Sequence, residues 1–290
     1  MIMTLTNFNK LEKSAAQELL ATTCGSHRWQ TLMMEKFPFA SEIAMVKTAA
    51  DIWYDSCTRE DWMQAFAQHP KIGETKNLEE KFAATKHLAS SEQAGVKTAP
   101  KDMMDLLARA NDLYEAKFGF IFIVFATGKS AAEMLRILQD RSSNHYEEEI
   151  IIAIGEELKI TIQRFKKIMD AADWGSVKPS QITTHVLDTS AGCPAKDMTI
   201  RLKHFVNNAW YTLAQGITNA DGRLADLLPS GKNAVPGNYK MVFETSNYFK
   251  VNSIKGFYPV IEINFTVWDE THYHVPLLLN AFGYSTYRGS

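Results

Sequence analysis

The stretch His272-Tyr273-His274-Val275-Pro276-Leu277-Leu278-Leu279, closed by Tyr284-Ser285-Thr286-Tyr287-Arg288-Gly289-Ser290, decides how the second half of this chain reads. Its first part is strand-like. Side chains alternate across a strand, so His272 and His274 share one face while Tyr273 and Val275 take the other. Two imidazoles side by side on a sheet face suit proton transfer or metal binding, because histidine titrates near neutral pH. Pro276 has no N–H to give to a ladder, which confines it to an edge strand or a bulge. On the strand alone, two surface histidines on an edge are as good a reading as a site.

The same alternation surrounds it. Met198, Ile200 and Leu202 alternate, as do Tyr239, Met241 and Phe243, and Ile261, Ile263, Phe265 and Val267. Asp221-Gly222 and Pro236-Gly237 supply turns. Many short strands with regular turns predict a sandwich over 182–290, interrupted by a helical turn or two near 246–251. The preceding 173–181 is short, polar and broken by Gly175 and Pro179, which is linker composition. Residues 1–172 read as helix after helix. Asn9 or Thr6 caps a first helix with Leu11, Ala15, Leu19 and Leu20 at helical spacing, and Gly25 stops it. Ser41 opens another, with Ile43, Ala44, Val46, Ala49, Ala50 and Trp53 inward. Residues 103–118, 130–141 and 147–169 are further amphipathic stretches. The expected architecture is therefore two domains, an all-α helical bundle over 1–172 and an all-β sandwich over 182–290.

Composition bounds the function. The 290 residues are 46% hydrophobic and 22% charged, with a net charge of −2, the balance of an ordinary globular protein. No basic block offers a phosphate-binding stripe, so nucleic acid is not an expected partner. The longest apolar run, 120–126, is far too short to span a membrane. Cys24, Cys57 and Cys193 are odd in number and far apart, which fits free thiols in a reducing compartment. Residues 1–6 lack the charged and apolar regions of a signal peptide, and Arg288-Gly289-Ser290 is not the peroxisomal Ser-Lys-Leu address. The expected location is the cytoplasm, or the peroxisome if the source is a eukaryote, with no clear targeting signal.

In the helical half, Thr127-Gly128-Lys129-Ser130 imitates the end of a phosphate-binding loop. That loop needs a glycine five residues before Gly128, where Ile123 stands, so Ser130 reads as a helix cap instead. His69-Pro70-Lys71-Ile72-Gly73-Glu74 is more informative. Pro70 fixes its own φ and restricts His69 to extended geometry, giving a rigid turn that presents an imidazole. AFAQHPKIGE, then Ser91-Glu92-Gln93, then Phe118-Gly119-Phe120-Ile121-Phe122-Ile123, then Gly128-Lys129-Ser130 and Arg141 resemble the decarboxylases of 2-oxo-4-hydroxy-4-carboxy-5-ureidoimidazoline (OHCU). The resemblance runs over about 8–168. It implies an all-α domain without metal or organic cofactor, with His69 and Glu92 catalytic and Arg164 binding substrate. It also assigns substrate contacts to Pro70, Gln93, Phe120, Ile121 and Ile123. The residue types fit the chemistry. A guanidinium holds a departing carboxylate bidentately, and His69 can supply a proton to the ring carbon that CO2 leaves.

In the β half, Thr183-Thr184-His185-Val186-Leu187-Asp188, Thr218-Asn219-Ala220-Asp221-Gly222-Arg223 and the C-terminal stretch quoted first resemble the 5-hydroxyisourate hydrolases of the transthyretin-like family. Transthyretin itself shares the sandwich but lacks the histidine and Tyr-Arg-Gly-Ser pattern. The resemblance covers 182–290 and implies His185, Arg223, His274 and Ser290 as the catalytic set, with His272 and Tyr287 beside it. Opening a ring by water needs a base for the water and a cation near the developing oxyanion, which histidine and arginine supply. A rival reading places zinc on His185, His272 and His274; the resemblance implies catalysis without metal.

Taken together these resemblances imply a bifunctional enzyme of urate breakdown acting on small molecules, with no cofactor. They also imply a homo-oligomer, a tetramer formed through the β domain with hydrolase sites at a subunit interface. The non-enzyme alternative is a transthyretin-like carrier with a helical interaction module.

Overall fold

The computed structural model describes residues 3–72, 99–169, 174, 177 and 180–289. The chain divides into two compact units, Met1–Val177 and Lys178–Ser290. In the first, helices α1 (Leu5–Phe8), α2 (Lys13–Thr23), α3 (His27–Glu35), α4 (Glu42–Asp51), α5 (Arg59–Phe66), α6 (Lys101–Phe118), α7 (Ala131–Arg141) and α8 (Tyr146–Ile168) follow one another, with a π-turn at Ile52–Ser56 prolonging α4. Ser41 and Ser130 cap α4 and α7, each accepting from a backbone N–H three residues on. Ser130 and Glu133 complete a capping box, so the loop-like Thr127–Ser130 sequence is a helix start. The first helix differs from expectation. Thr4 caps α1, and α2 starts after Glu12 with no side-chain cap. Asn9 instead bridges to Phe39, donating to its carbonyl and accepting from its N–H. Ile43, expected inward, is 50% exposed, while Val46, Ala49, Ala50 and Trp53 are buried.

Helix α8 is buried almost all round, which marks it as the centre of the unit. Trp53 donates its indole N–H to the Ile154 carbonyl at 2.9 Å, and Trp29 stacks on Phe165. α8 also buries Glu149, Glu156, Glu157 and Arg164. Glu149 accepts from Arg141 Nε and Nη2 at 2.8 and 2.5 Å, from Asn144 at 2.7 Å and from the Tyr114 hydroxyl. Arg141 donates its third bond to the Ile123 carbonyl at 2.8 Å. Glu156 accepts from the Phe125 N–H at 2.7 Å and pairs with Lys159 at 2.5 Å. Burial opposes its ionisation, but Lys159, Lys129 and Arg141 outweigh burial and hold the carboxyl at about 2. The extended segment 120–126 is thereby tied to α8 at two points.

In the second unit, β4 (Ala209–Ile217), β3 (Thr199–Val206), β6 (Gly237–Phe243) and β7 (Ile261–Val267) form one sheet in that order. The other runs β10 (Gly283–Thr286), β9 (Leu277–Asn280), β1 (Ile182–Asp188), β2 (Cys193–Pro194), with β5 (Arg223–Leu224) and β8 (Tyr273–His274) also pairing β1. Ile200, Leu202, Met241, Phe243 and Ile261 from one sheet meet Ile182, Val186, Leu277 and Leu279 from the other in a common core. A short helix, α9 (Thr245–Val251), sits near the expected position. Of the two places open to Pro276, an edge or an irregularity in the ladder, the structure has the second: it fills the gap between β8 and β9, both of which pair with β1, so the missing N–H falls where the ladder is already broken. One sequence reading needs correction. Ser180 and Gln181, read as linker, are buried in this unit. Ser180 Oγ donates to the Ile182 carbonyl and Gln181 accepts from the Ala234 N–H at 2.7 Å, because capping these backbone groups favours folding the segment in.

The Arg141–Glu149 pair offers a test of this architecture. Removing one partner leaves a buried, uncompensated charge, so Arg141→Met is expected to cost on the order of 3 kcal/mol. Urea denaturation of the full chain should show the loss in the helical transition and leave the β transition in place.

Candidate active sites

α5 ends at Phe66, and the turn that follows carries His69, whose N–H donates to the Phe66 carbonyl at 3.1 Å. The imidazole is 9% exposed and lies between two α8 side chains. Its Nε2 is 2.8 Å from Glu157 Oε2, and its Nδ1 is 3.5 Å from Arg164 Nη2. A guanidinium has no acceptor, so Nδ1 must turn its lone pair to Arg164 and Nε2 must carry the proton toward Glu157. The Glu157 approach is close but is not an aligned hydrogen bond: neither carboxylate oxygen has a hydrogen-bond partner among the described residues. Glu157 is fully buried. Its charge also reaches the neighbouring Cys24, whose thiol is pushed well up by burial and then by Glu157, so Cys24 is no nucleophile.

A cleft beside His69 is lined by Pro70, Ile72, residues 122–127 and Ile160. Thr127, also in the lining, has a buried hydroxyl without a hydrogen-bond partner among the described residues. Of the expected decarboxylase residues, the structure thus brings together His69, Arg164, Pro70 and Ile123. Phe120 instead packs into an aromatic cluster with Phe66, Tyr114 and Phe118, and Ile121 lies outside the cleft lining. Glu92 and Gln93 lie outside the described residues. Glu157 was not singled out in the sequence. Its signal is two adjacent acids, Glu156-Glu157, in a mostly apolar stretch from Ile150 to Ile162 that holds one cation, Lys159, where charge is rarely buried without a partner.

In the β unit, β1 gathers the second site. His185 pairs with Arg223 across β1 and β5, and Thr183 pairs with His274 across β1 and β8. The turn before Arg223 needs Gly222, at φ 69°, where a Cβ would overlap the Val186 carbonyl. The His272 and His274 rings stack at 6.2 Å and 19°. Thr183 Oγ1 lies 2.9 Å from His272 Nε2 and 2.9 Å from His274 Nδ1. Gly289 donates to the His274 carbonyl at 3.0 Å, and a side chain there would strike the His274 ring. Burial lowers the basicity of His274, with the charges of His272, Arg223 and His185 adding to it. His185 is lowered by burial and then by Arg223. Among the described residues, no group of three His, Cys, Asp or Glu is arranged to hold a metal ion. Tyr287 is 58% exposed, and Ser290 lies outside the described residues. Thr183 is the residue the sequence reading passed over, although alternation puts it on the same strand face as His185.

Two family models match the chain, OHCU decarboxylase over residues 9–166 and the HIUase/Transthyretin family over residues 182–289. The chain therefore belongs to the OHCU decarboxylase family through its helical unit and to the HIUase/transthyretin family through its β unit. Among individual relatives, the uric acid degradation bifunctional protein TTL of Arabidopsis thaliana is 32% identical, covering 92% of this chain and 96% of its own length. The 5-hydroxyisourate hydrolase of Mus musculus is 42% identical over 40% of this chain and 99% of its own length. A crystal structure of (S)-allantoin synthase aligns with 99% of this chain and 100% of its own at 22% identity, with a TM-score of 0.45.

Glu157→Gln separates a chemical from a structural role. The amide keeps the shape and removes a buried charge that lacks hydrogen bonds, so the thermal midpoint should hold or rise. Decarboxylation should nonetheless fall on the order of 100-fold, because Glu157 orients the His69 ring from 2.8 Å. Equal losses of stability and activity would assign Glu157 to packing.

Proposed function

We propose that this chain carries out two successive steps of urate breakdown: its β unit hydrolyses 5-hydroxyisourate to OHCU, and its helical unit decarboxylates OHCU to (S)-allantoin. The observation that carries the reading is that each unit assembles its own histidine–arginine cluster, His69 with Arg164 and His185 and His274 with Arg223.

For the hydrolysis, water adds to a ring carbonyl. Nε2 of His274 takes the water's proton, and Arg223 opposes the negative charge forming on oxygen. The carbon–nitrogen bond of the ring then breaks, and the same imidazolium returns the proton to the leaving nitrogen. Depressed basicity suits this role, since a base must be neutral at the working pH. For the decarboxylation, Arg164 holds the carboxylate. Carbon dioxide leaves without the electron pair of the breaking bond, which stays on a ring carbon conjugated to an imine. His69 delivers a proton to one face of that carbon, which makes a single enantiomer. Glu92 and Gln93 are assigned, from the family resemblance, to the ureido and ring N–H groups, and Ser290 with Tyr287 to the hydrolase site.

We also assign the chain to a homotetramer formed through the β unit, with hydrolase sites between subunits. The patterned tail and exposed aromatic side chains, Trp268, Phe282 and Tyr287 among them, support this reading.

The two activities should separate. Following the ultraviolet decay of freshly made 5-hydroxyisourate and the appearance of product, His69→Ala should lose decarboxylation by on the order of 1,000-fold and keep hydrolysis, and His274→Ala should do the reverse. Loss of both activities in either folded variant would defeat one site per unit. Exhaustive chelation should leave hydrolysis intact, whereas loss restored by zinc would favour the three-histidine metal reading. A fully active monomer in light scattering would rule out interface sites.

A further inference from the structure

The contact between Thr183 and the two stacked histidines carries a constraint of proton counting. Thr183 is 9% exposed, and its hydroxyl meets His272 Nε2 and His274 Nδ1 at equal distances of 2.9 Å. A hydroxyl has one proton. It cannot satisfy two bare nitrogen lone pairs, and two N–H groups facing it would strand its own proton at a cost of about 1–3 kcal/mol. One ring therefore donates to Thr183 while the other accepts from it, in one of two arrangements. In the first, His274 donates from Nδ1 and Thr183 donates to His272 Nε2. Nε2 of His274 is then a bare lone pair, fit to take a proton from water. In the second, His272 donates from Nε2 and Thr183 donates to His274 Nδ1. His274 then carries its proton on Nε2 and is a donor, not a base.

A protonated His272 permits only the second arrangement. We propose that Thr183 is a positioning residue that makes His274 a competent base only while His272 is neutral. The inference rests on the hydrolase reading of this site. The backbone holds the three groups in place: Thr183 and His274 are ladder partners, and the Val275 N–H donates to the Thr183 carbonyl at 2.9 Å. Turning either ring away would break its 2.9 Å contact with the hydroxyl.

The groups facing His274 are His185 from β1, Arg223 from β5 and His272 from the residues before β8. Arg288, over the Tyr273 ring, and Asp269, which accepts from the Tyr273 hydroxyl, belong to the opposite face of the strand. Asp221, before β5, faces His185. Charge on His272 thus reaches His274 by two routes, directly through space and through the single proton of Thr183. Only the second is removed when the hydroxyl is replaced by a methyl group.

The test is the pH dependence of kcat/KM for 5-hydroxyisourate in the full-length chain and in Thr183→Ser, Thr183→Val and His272→Gln. The wild type and Thr183→Ser should lose activity toward acid with a limb approaching two protons, because either histidine's proton disables the base. Thr183→Val and His272→Gln should show a one-proton limb, and Thr183→Val should also lose on the order of tenfold at its optimum. His272 is exposed, so His272→Gln keeps the test open should Thr183→Val not fold. A one-proton limb in the wild type, or a two-proton limb in either uncoupled variant, overturns the proposal. Long-range nitrogen–proton NMR correlations of the imidazoles supply a readout that needs no substrate. As His272 takes up charge, the His274 proton should be found on Nε2 in the wild type and should not follow in Thr183→Val. A His274 tautomer indifferent to His272 overturns the coupling. Wild-type protein without hydrolysis would instead sink the hydrolase reading, leaving the coupling to the NMR result.

Discussion

A carboxylate taken out of water is costly unless a cation or donors meet it, and α8 takes three of them out of water at Glu149, Glu156 and Glu157. The helical unit is arranged around that constraint. Glu149 is met by Arg141, Asn144 and Tyr114, and Glu156 by Lys159 and the Phe125 N–H. Because Arg141 also donates to Ile123 and Glu156 accepts from Phe125, neutralising these acids fixes the backbone around 123–125, part of one wall of the cleft. Glu157 differs from the other two. Among the described residues it meets the His69 imidazole at 2.8 Å and no hydrogen-bond donor, so its charge faces the site.

In the β unit the corresponding part belongs to β1. One strand pairs with β2, β5, β8 and β9, and its register sets Thr183 against His274 and His185 against Arg223. Residues 38 to 91 positions apart in the chain thereby meet on one sheet face. A slip of one residue would turn every one of these side chains into the core, so the buried faces of Ile182 and Val186 enforce the site's register as well as the fold's.

The two sites use histidine in opposite surroundings. His69 faces a buried carboxylate, whereas His274 stands among His272, Arg223 and His185, which favour its neutral form. In the proposed reading one reaction delivers a proton to carbon and the other removes a proton from water, and the two units give the same residue type different neighbours for the two tasks.

The division into helices and strands, the caps at Ser41 and Ser130, and the histidine and arginine motifs were legible in the sequence, because periodicity, capping and short motifs are local properties of the chain. The same locality explains the misreadings. Pro276 leaves an edge and a bulge equally open until the broken β8–β9 ladder is seen, and Asn9 reads as a cap until Phe39 is found beside it. Phe120, which the resemblance places among the substrate contacts, packs against Phe66 and Tyr114 in the structure. What only the tertiary structure decided is which polar groups meet. Glu157 is one acid of an adjacent pair until α8 carries it to His69, 88 positions away by sequence number. Thr183 is one threonine of two until the β1–β8 pairing sets its hydroxyl between two imidazoles. The sequence by itself determined the residue types and the faces they share; long-range pairing decided their partners, because a hydrogen bond or ion pair depends on distances of a few ångströms that no local pattern encodes.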